Sequence, residues 1–281
     1  MALATDQIGF YQDNGYLLLE QVIPSSVLTS LRKTVDRFID GSRAIETSNH
    51  IYDLDQSHSA DSPRVRRLKD PHLRDPLFKQ IAECNSIVDP VCELLGGTVR
   101  FDHSKLNFKH PGANAEIKWH QDWAFYPHTN DDILAVGVLI EDCTPECGPL
   151  MVIPGSHKGP VFDHHHNGIF AGGVNTDAIG NLVDNAVALI APAGSLTIHH
   201  VRALHASGNS SINTLRPLLL FSYTAVDAFP IFSSYDLQEY DSRILRGTPV
   251  HEGRMAALPF RIHLPQVPGT DSIYDNQESM Q

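Results

Sequence analysis

The stretch Trp119-His-Gln-Asp-Trp123 decides how this chain of 281 residues is interpreted. Alternate residues of an extended strand point to the same side, so His120 and Asp122 would present two metal-binding side chains together. Of the 16 histidines in the chain, only His120 has an acidic residue two positions later. A distant third histidine can complete a set of two imidazoles and one carboxylate, which is typical of non-haem Fe(II) oxygenases.

His205 and Arg216 are the downstream residues that fit this pattern. We predict that His205 lies on a later strand and is the third ligand. Arg216 follows it by eleven residues (216 − 205 = 11), and its planar guanidinium suits a bidentate carboxylate partner. The metal ligands and the arginine together predict an iron site that also binds a keto-acid co-substrate.

Length and composition limit the classes of protein to which the chain can belong. A hydrophobic content of 42% is typical of a globular protein, and a formal net charge of −12 argues against a broad nucleic-acid or membrane surface. The N-terminal residues include neither a basic segment nor a long apolar run. We therefore expect no signal peptide or transmembrane helix. The four cysteines are expected to be free thiols, with the cytoplasm as the default location. Cys143 and Cys147 lack the second pair that a zinc site needs.

Apolar spacing predicts helices in the N-terminal part of the chain. They cover about residues 5–12, a stretch that begins at Pro24-Ser25, and about residues 76–95 with a break at Asp89-Pro90. Beyond Thr98, short apolar runs separated by Pro-, Gly- and Asn-rich turns predict strands. These runs are residues 99–101, 106–108, 133–140, 151–153, 187–190, 195–199 and 218–226.

The expected fold class is mainly β with flanking α-helices, a double-stranded β-helix of the jelly-roll or cupin-like kind. We predict one domain over residues 1–281, with N-terminal helices in about 5–97 packed on a β core of about 98–230. Residues 231–281 would form a C-terminal extension. The glycine-containing segment 168–185 is long enough to act as a lid over a site.

Four blocks of sequence, in the same order, resemble the phytanoyl-CoA dioxygenase family of Fe(II)- and 2-oxoglutarate-dependent oxygenases. The first is Phe10-Tyr-Gln-Asp-Asn-Gly-Tyr16, and the second is the metal motif around His120. The third, Cys147-Gly-Pro-Leu-Met-Val-Ile-Pro-Gly-Ser-His-Lys158, is similar to the family's Gly-x-Leu-x-x-x-Pro-Gly-Ser/Thr-His-Lys segment. The fourth is His205-Ala-Ser207 followed by Arg216-Pro217. The resemblance extends over about residues 8–226.

The resemblance implies a role for individual residues of the site. His120, Asp122 and His205 would bind Fe(II), and Arg216 with Ser207 would bind the distal carboxylate of 2-oxoglutarate. The other residues that it places beside the co-substrate are Lys69, Leu106, Val138 and Gln121. Lys69 matches the family only loosely, and at Val138 some relatives have tryptophan.

The implied reaction oxidises a small-molecule metabolite and converts 2-oxoglutarate and O2 to succinate and CO2, with ascorbate as a candidate stimulant. Asp122 favours hydroxylation or another oxygen-derived outcome over halogenation, because related halogenases have a small residue at this position. Trp123, Phe125 and Tyr126 directly follow the metal motif and are candidate substrate contacts, with barrel core as the alternative. We expect no nucleic-acid or membrane partner, and a monomer or homodimer.

Other histidines are alternative candidates for metal binding, and two other functions are alternatives to an oxygenase. His164-His-His166 is predicted to be a solvated loop, and His199 or His200 a strand residue or pocket wall. A non-catalytic binding protein of the same fold would be expected to have lost a metal ligand or Arg216. A cupin-like zinc hydrolase or isomerase would need no such arginine.

Overall fold

The computed structural model describes residues 2–113, 115–232, 236–256 and 273–278. Within these ranges the α-helices are Thr5–Asn14 (α1), Ser25–Gly41 (α2), Pro76–Ala82 (α3), Asn85–Leu94 (α4), Thr176–Ile179 (α5), Leu237–Asp241 (α6) and Ile273–Glu278 (α7). The β-strands are Tyr16–Leu19 (β1), Tyr52–Leu54 (β2), Val65–Lys69 (β3), Val99–Lys109 (β4), Ile117–His120 (β5), Ile133–Leu139 (β6), Leu150–Val152 (β7), His165–His166 (β8), Ile169–Phe170 (β9), Val187–Ala188 (β10), Leu196–His200 (β11), His205–Ser207 (β12), Arg216–Thr224 (β13) and Ile244–Arg246 (β14).

The helices α1 to α4 follow local sequence signals. In α2, Leu28, Leu31 and Val35 recur at helical spacing and are buried, which gives the helix one apolar face. The predicted break at Asp89-Pro90 is wrong, since Pro90 lies inside α4. The helical stretch is instead interrupted between α3 and α4, where Cys84 has extended backbone and is the N-cap residue of α4.

Two antiparallel sheets form the double-stranded β-helix that the sequence predicts. The larger has the strand order β1-β11-β6-β13-β4-β3-β2, with β14 also paired to β4. The smaller has the order β10-β7-β12-β5. Residues of both sheets line one cavity, which therefore lies between them.

The two faces of the larger sheet have different surroundings. One face carries Leu106, Val138 and Leu219, which join the main hydrophobic core with residues of α2 and α4. The other face carries Lys105 and Asn107 and forms a wall of the cavity. Because neighbouring residues of a strand point to opposite sides, each strand contributes alternately to core and cavity.

The N-terminal part of the chain contributes more than helices. β1, β2 and β3 all join the larger sheet. The segment 168–185, predicted as a lid, contains β9, α5 and a 3-10 turn over Gly180–Asn185. Lid closure stays a prediction. Across the described residues, helices long and apolar enough to cross a bilayer are absent.

Candidate active site

The three predicted metal ligands meet at one end of the smaller sheet. His120 is the last residue of β5 and lies opposite His205, the first residue of β12. Asp122 begins the short turn that follows β5, and Gln121 between them keeps extended backbone. One ligand atom from each of the three residues lies within 4.8 Å of the others. All three side chains are buried.

Backbone carbonyls orient both imidazole rings towards Asp122. The Nδ1 atom of His120 lies 2.8 Å from the Lys118 carbonyl oxygen, and that of His205 lies 2.9 Å from the Ala203 carbonyl oxygen. The two Nε2 atoms are left free, and each lies 4.0 Å from Oδ1 of Asp122. Hydrogen bonds of this kind set the tautomer of metal-binding histidines, so the donor set fits Fe(II).

The protonation states also suit a metal ion. Burial lowers the pKa of His120 to about 4 and that of His205 well below its ordinary value. Burial alone would raise the pKa of Asp122, but the surrounding His199, His205 and Lys105 hold it well below its ordinary value. At neutral pH the site therefore offers two neutral imidazoles and a carboxylate, the forms that bind metal.

His199 of β11 is part of the cavity wall, which was one of the two positions predicted for this residue. Its Nε2 atom lies 3.4 Å from Oδ2 of Asp122, the oxygen that does not face the other two imidazoles. His199 therefore contacts the carboxylate ligand from behind and restricts its rotation. His200, the next residue, points away and packs against His157.

Arg216 and Ser207 lie at one end of the same cavity. Arg216 is the first residue of β13, pairs with Lys109 of β4, and is buried. Its Nη2 atom has no hydrogen-bond partner in the described part of the chain. A buried, unpaired guanidinium donor suits a carboxylate ligand.

Two further basic residues, Arg67 and Lys109, line the same cavity. Arg67 donates from Nε to Oδ1 of Asn107 over 2.9 Å. The Nζ atom of Lys109 donates to the carbonyl oxygens of Ala115, Ser207 and Gly208. Burial, reinforced by the charge of Arg216, lowers the pKa of Lys109 to about 7.

His103, Lys105 and Tyr126 line the other end of the cavity. The Nδ1 atom of His103 lies 2.7 Å from Oδ2 of Asp102, and the His103 ring packs edge-on against Tyr126. The Lys105 ammonium lies 5.4 Å from the centre of the Tyr126 ring. Burial lowers the pKa of Lys105, although the charge of Asp122 opposes this.

Sequence reasoning missed Lys105 and Tyr274 as cavity residues. A signal for Lys105 was present. In β4, Lys105, Asn107 and Lys109 alternate with apolar residues, a pattern that indicates a polar face. No comparable local signal marks Tyr274, which belongs to α7 near the end of the chain.

Leu106 and Val138 do not line the cavity, which corrects their predicted position beside the co-substrate. Both are fully buried in the hydrophobic core on the far face of the larger sheet. Their neighbours in sequence, such as Lys105, take the cavity positions because strand residues alternate. Lys69 is also elsewhere: its Nζ atom lies 2.9 Å from Oδ1 of Asp53, and it is absent from the cavity lining.

Gln121 and Trp123 alternate with the metal ligands and point away from the cavity. The Gln121 amide donates to the carbonyl oxygens of Pro160 and Arg202, so it joins loops instead of binding co-substrate. Trp123 is buried in a separate hydrophobic cluster. Phe125 and Tyr126 do line the cavity, where a substrate could contact them.

His164 is not part of a solvated loop, contrary to prediction. It is completely buried, and its Nε2 atom accepts a hydrogen bond from the backbone N–H of Gln121 over 2.9 Å. Its Nδ1 atom lies 2.8 Å from the Phe162 carbonyl oxygen. His164 therefore supports the strand end that carries the metal ligands, while His166 is exposed as expected.

The cysteine pair lies behind Arg216. The Sγ atoms of Cys143 and Cys147 are 3.3 Å apart and buried. The hydrogen bond from Cys143, with the charge of Arg216, lowers the pKa of Cys147 to about 6. Both cysteines are free thiols, as predicted, and they do not join the metal-ligand cluster of the described residues.

A buried His-Asp-His site in the cavity of a double-stranded β-helix is typical of the class of non-haem Fe(II) oxygenases. The family model named phytanoyl-CoA dioxygenase (PhyH) matches residues 11–216, and the chain belongs to this family. The chain is 32% identical over 274 residues to a probable alpha-ketoglutarate-dependent hypophosphite dioxygenase of Stutzerimonas stutzeri, covering 96% of both proteins.

Two further comparisons agree with this assignment. L-Proline trans-4-hydroxylase of Streptomyces griseoviridis is 31% identical over 189 residues, which cover 60% of this chain and 70% of the relative. The crystal structure of EctD from S. alaskensis with 2-oxoglutarate and 5-hydroxyectoine matches the fold with a TM-score of 0.67 and 22% identity, covering 90% of this chain and 87% of that one. The protein is an oxidoreductase that uses iron and 2-oxoglutarate.

Proposed function

We propose that this dioxygenase oxidises a small, compact oxyanion of the size of hypophosphite, which Lys105 binds beside the metal. The observation that carries this proposal is the position of Lys105 in the cavity wall without a carboxylate partner. Its ammonium makes no ion pair or hydrogen bond with another described residue. A half-buried cation without a partner is unfavourable, so an anionic ligand would satisfy it.

The charges of the cavity support an anionic substrate. Four basic residues line it, namely Arg67, Lys105, Lys109 and Arg216, whereas Asp122 is the only acidic residue among the described lining residues. Asp122 belongs to the metal site. Amino-acid substrates such as proline also carry a cationic nitrogen, for which the described lining offers no free carboxylate.

The co-substrate and the substrate are proposed to bind different basic residues of the cavity. Lys105 and Lys109 lie four residues apart on β4, and Lys109 pairs with Arg216. At about 3.3 Å per residue this separation is roughly 13 Å. A five-carbon dicarboxylate with bonds of about 1.5 Å is roughly half that length. If Arg216 and Ser207 bind its distal carboxylate, Lys105 is left for the substrate.

The size of the cavity supports a small substrate. Its volume is about 250 Å³, below the roughly 300–1,000 Å³ that is usual for sites of drug-sized ligands. The same space must also hold 2-oxoglutarate. This argues against a long acyl chain and agrees with the similarity to the hypophosphite dioxygenase of Stutzerimonas stutzeri over nearly the whole chain.

Each residue of the site then has a distinct task. His120, Asp122 and His205 hold the metal, Arg216 and Ser207 fix the co-substrate, and Lys105 places the anion beside the metal. When bound, iron with 2-oxoglutarate and O2 supplies the oxidising power, and the co-products are succinate and CO2. The rings of Phe125 and Tyr126 exclude water from the reacting atoms.

A panel of substrates tests the proposal. The Fe(II) enzyme is supplied with 2-oxoglutarate, O2 and either hypophosphite, methylphosphonate, L-proline or ectoine. Succinate is quantified together with the oxidised product, which for hypophosphite is phosphite, seen by phosphorus NMR. We expect one succinate per oxidised oxyanion. Oxidation of proline or ectoine with no oxyanion oxidised would disprove the proposal.

Lys105→Met tests the role of the lysine itself. Since charge-assisted hydrogen bonds contribute about 1.5–3 kcal/mol, its loss should raise the apparent constant for the anion roughly ten- to a hundredfold. The constant for 2-oxoglutarate should change by less than about twofold. Lys118→Met is the matched control, because Lys118 lies on β5 close to the metal but outside the cavity lining.

We also propose that the protein works in the cytoplasm as a monomer or homodimer. The four free cysteines support a reducing compartment. Light scattering coupled to size-exclusion chromatography measures the oligomeric state.

A further inference from the structure

We propose that the C-terminal helix α7 completes the 2-oxoglutarate site, with the Tyr274 hydroxyl as an additional hydrogen-bond donor to the distal carboxylate and Gln277 as the residue that positions the helix. This inference depends on a carboxylate site at Arg216 and is independent of the identity of the substrate. It gives a function to a part of the chain that lies beyond the family match, which ends at residue 216.

Gln277 attaches α7 to the strand that carries His120. Its Oε1 atom accepts a hydrogen bond from the backbone N–H of Lys118 over 2.9 Å. Its Nε2 atom donates to the carbonyl oxygen of Gly172 over 3.0 Å. β5 is an edge strand of the smaller sheet, so the outward N–H of Lys118 would otherwise be unpaired.

The backbone conformation of Gly172 allows its carbonyl oxygen to contact Gln277. Its backbone has a φ of +64°, and a Cβ atom there would lie 2.9 Å from the ring of Phe125. Glycine therefore lets the segment approach the cavity closely enough for its carbonyl to meet Gln277. Gln277 thus joins two cavity-forming segments that are distant in sequence.

Tyr274 is held among apolar and cationic groups at the Arg216 end of the cavity. It packs in a cluster with Ile117 and Ile273, against which Phe125 also lies. The guanidinium carbons of Arg66 and Arg67 are each 5.5 Å from the centre of its ring. Both Tyr274 and Arg67 line the cavity.

The Tyr274 hydroxyl is buried and has no hydrogen-bond partner in the described part of the chain. Buried hydroxyls in folded proteins are normally paired, so an unpaired one on a cavity wall indicates a ligand. Burial raises the pKa of Tyr274 despite the charges of Arg67 and Arg216. The hydroxyl is therefore neutral and able to donate.

The donors at this end match the acceptors of a carboxylate. Nη2 of Arg216 is also buried and unpaired within the described residues, and Ser207 lines the same end. A carboxylate has two oxygens with about four lone-pair positions. Arg216, Ser207 and Tyr274 can occupy these positions together, while Arg67 donates to Asn107.

The first test compares Tyr274→Phe with the wild-type enzyme in anaerobic titrations of the Fe(II) protein with 2-oxoglutarate, followed by the charge-transfer absorbance. We expect the dissociation constant for 2-oxoglutarate to rise about tenfold, and metal affinity to change by less than about twofold. The matched control is Tyr11→Phe, because Tyr11 is equally buried with an unpaired hydroxyl but does not line the cavity. It should leave the constant unchanged.

The second test uses Gln277→Ala and hydrogen exchange, so that the inference stays testable if the tyrosine variant is unstable. Gln277→Ala should weaken 2-oxoglutarate binding while leaving kcat at saturation nearly unchanged. Adding 2-oxoglutarate to the wild-type metal complex should slow exchange in residues 273–278. Arg216→Lys measured in parallel shows whether the carboxylate site itself exists.

A purely structural α7 gives a different result. Tyr274→Phe would then lower the melting temperature while the 2-oxoglutarate constant stayed within about twofold of wild type, and the co-substrate would not protect residues 273–278. Either result overturns the inference, provided that Arg216→Lys does weaken 2-oxoglutarate binding.

Discussion

Replacing Arg216 by lysine tests the carboxylate site most directly. The ammonium keeps the positive charge but loses the two-pronged geometry of the guanidinium. Arg216 is buried, and Nη2 has no partner among the described residues. The second prong is therefore free for a ligand, and its loss should remove one charge-assisted hydrogen bond.

The expected effect on affinity follows from that single bond. A hydrogen bond to a charged group contributes about 1.5–3 kcal/mol, and each 1.4 kcal/mol is a tenfold change in a binding constant. The constant for 2-oxoglutarate should therefore rise roughly ten- to a hundredfold. Metal binding should hardly change, because Arg216 is not one of the clustered metal ligands.

Anaerobic titration of the Fe(II) protein, monitored by the metal-to-ligand charge-transfer band, measures this constant for wild type and Arg216→Lys. The competing interpretation treats Arg216 as a structural strand residue paired with an acid. In that case the constant would stay within about twofold, and only the unfolding free energy would change, by about 0–1 kcal/mol. That result would refute the carboxylate site.

The remaining predictions concern the metal ligand His120 and the buried Lys109. His120→Ala should abolish turnover and iron retention while the circular dichroism spectrum stays that of the wild type; wild-type activity and iron content in this variant would contradict the assignment. The pKa of Lys109, lowered to about 7, lies below the ordinary value of about 10.4. Between these values the unfolded chain binds more protons, so the unfolding free energy should rise with pH, by at most about 1.4 kcal/mol per pH unit. Urea unfolding at pH 7 and pH 9 should show this rise in the wild type and not in Lys109→Met; equal slopes would argue against it.

The sequence by itself determined the chemistry of the metal site. His120 and Asp122 are close in sequence, and extended backbone at Gln121 carries them to the same side. His205 and Arg216 were recognisable by residue type and order. The strand pairing that places His205 opposite His120 and Arg216 opposite Lys109 could not be recognised from the sequence.

Only the tertiary structure decided which face of each strand meets the cavity. Every residue of β6 is buried, because core lies on one side of it and the cavity on the other. Such a strand has no polar alternation from which to read its inner face. Val138 was therefore placed on the wrong side. A shift of one residue in register exchanges the two faces, and register depends on the neighbouring strands.

The contribution of α7 shows the same limit over a longer range. Tyr274 and Gln277 carry no local sign of a role, since their partners Arg67, Lys118 and Gly172 lie more than a hundred residues away in sequence. Local pattern reports burial and secondary structure, whereas contacts between distant segments depend on how the sheets close around the cavity. The metal ligands could thus be predicted from the sequence, whereas the residues that form the cavity wall around them could be identified only from the tertiary structure.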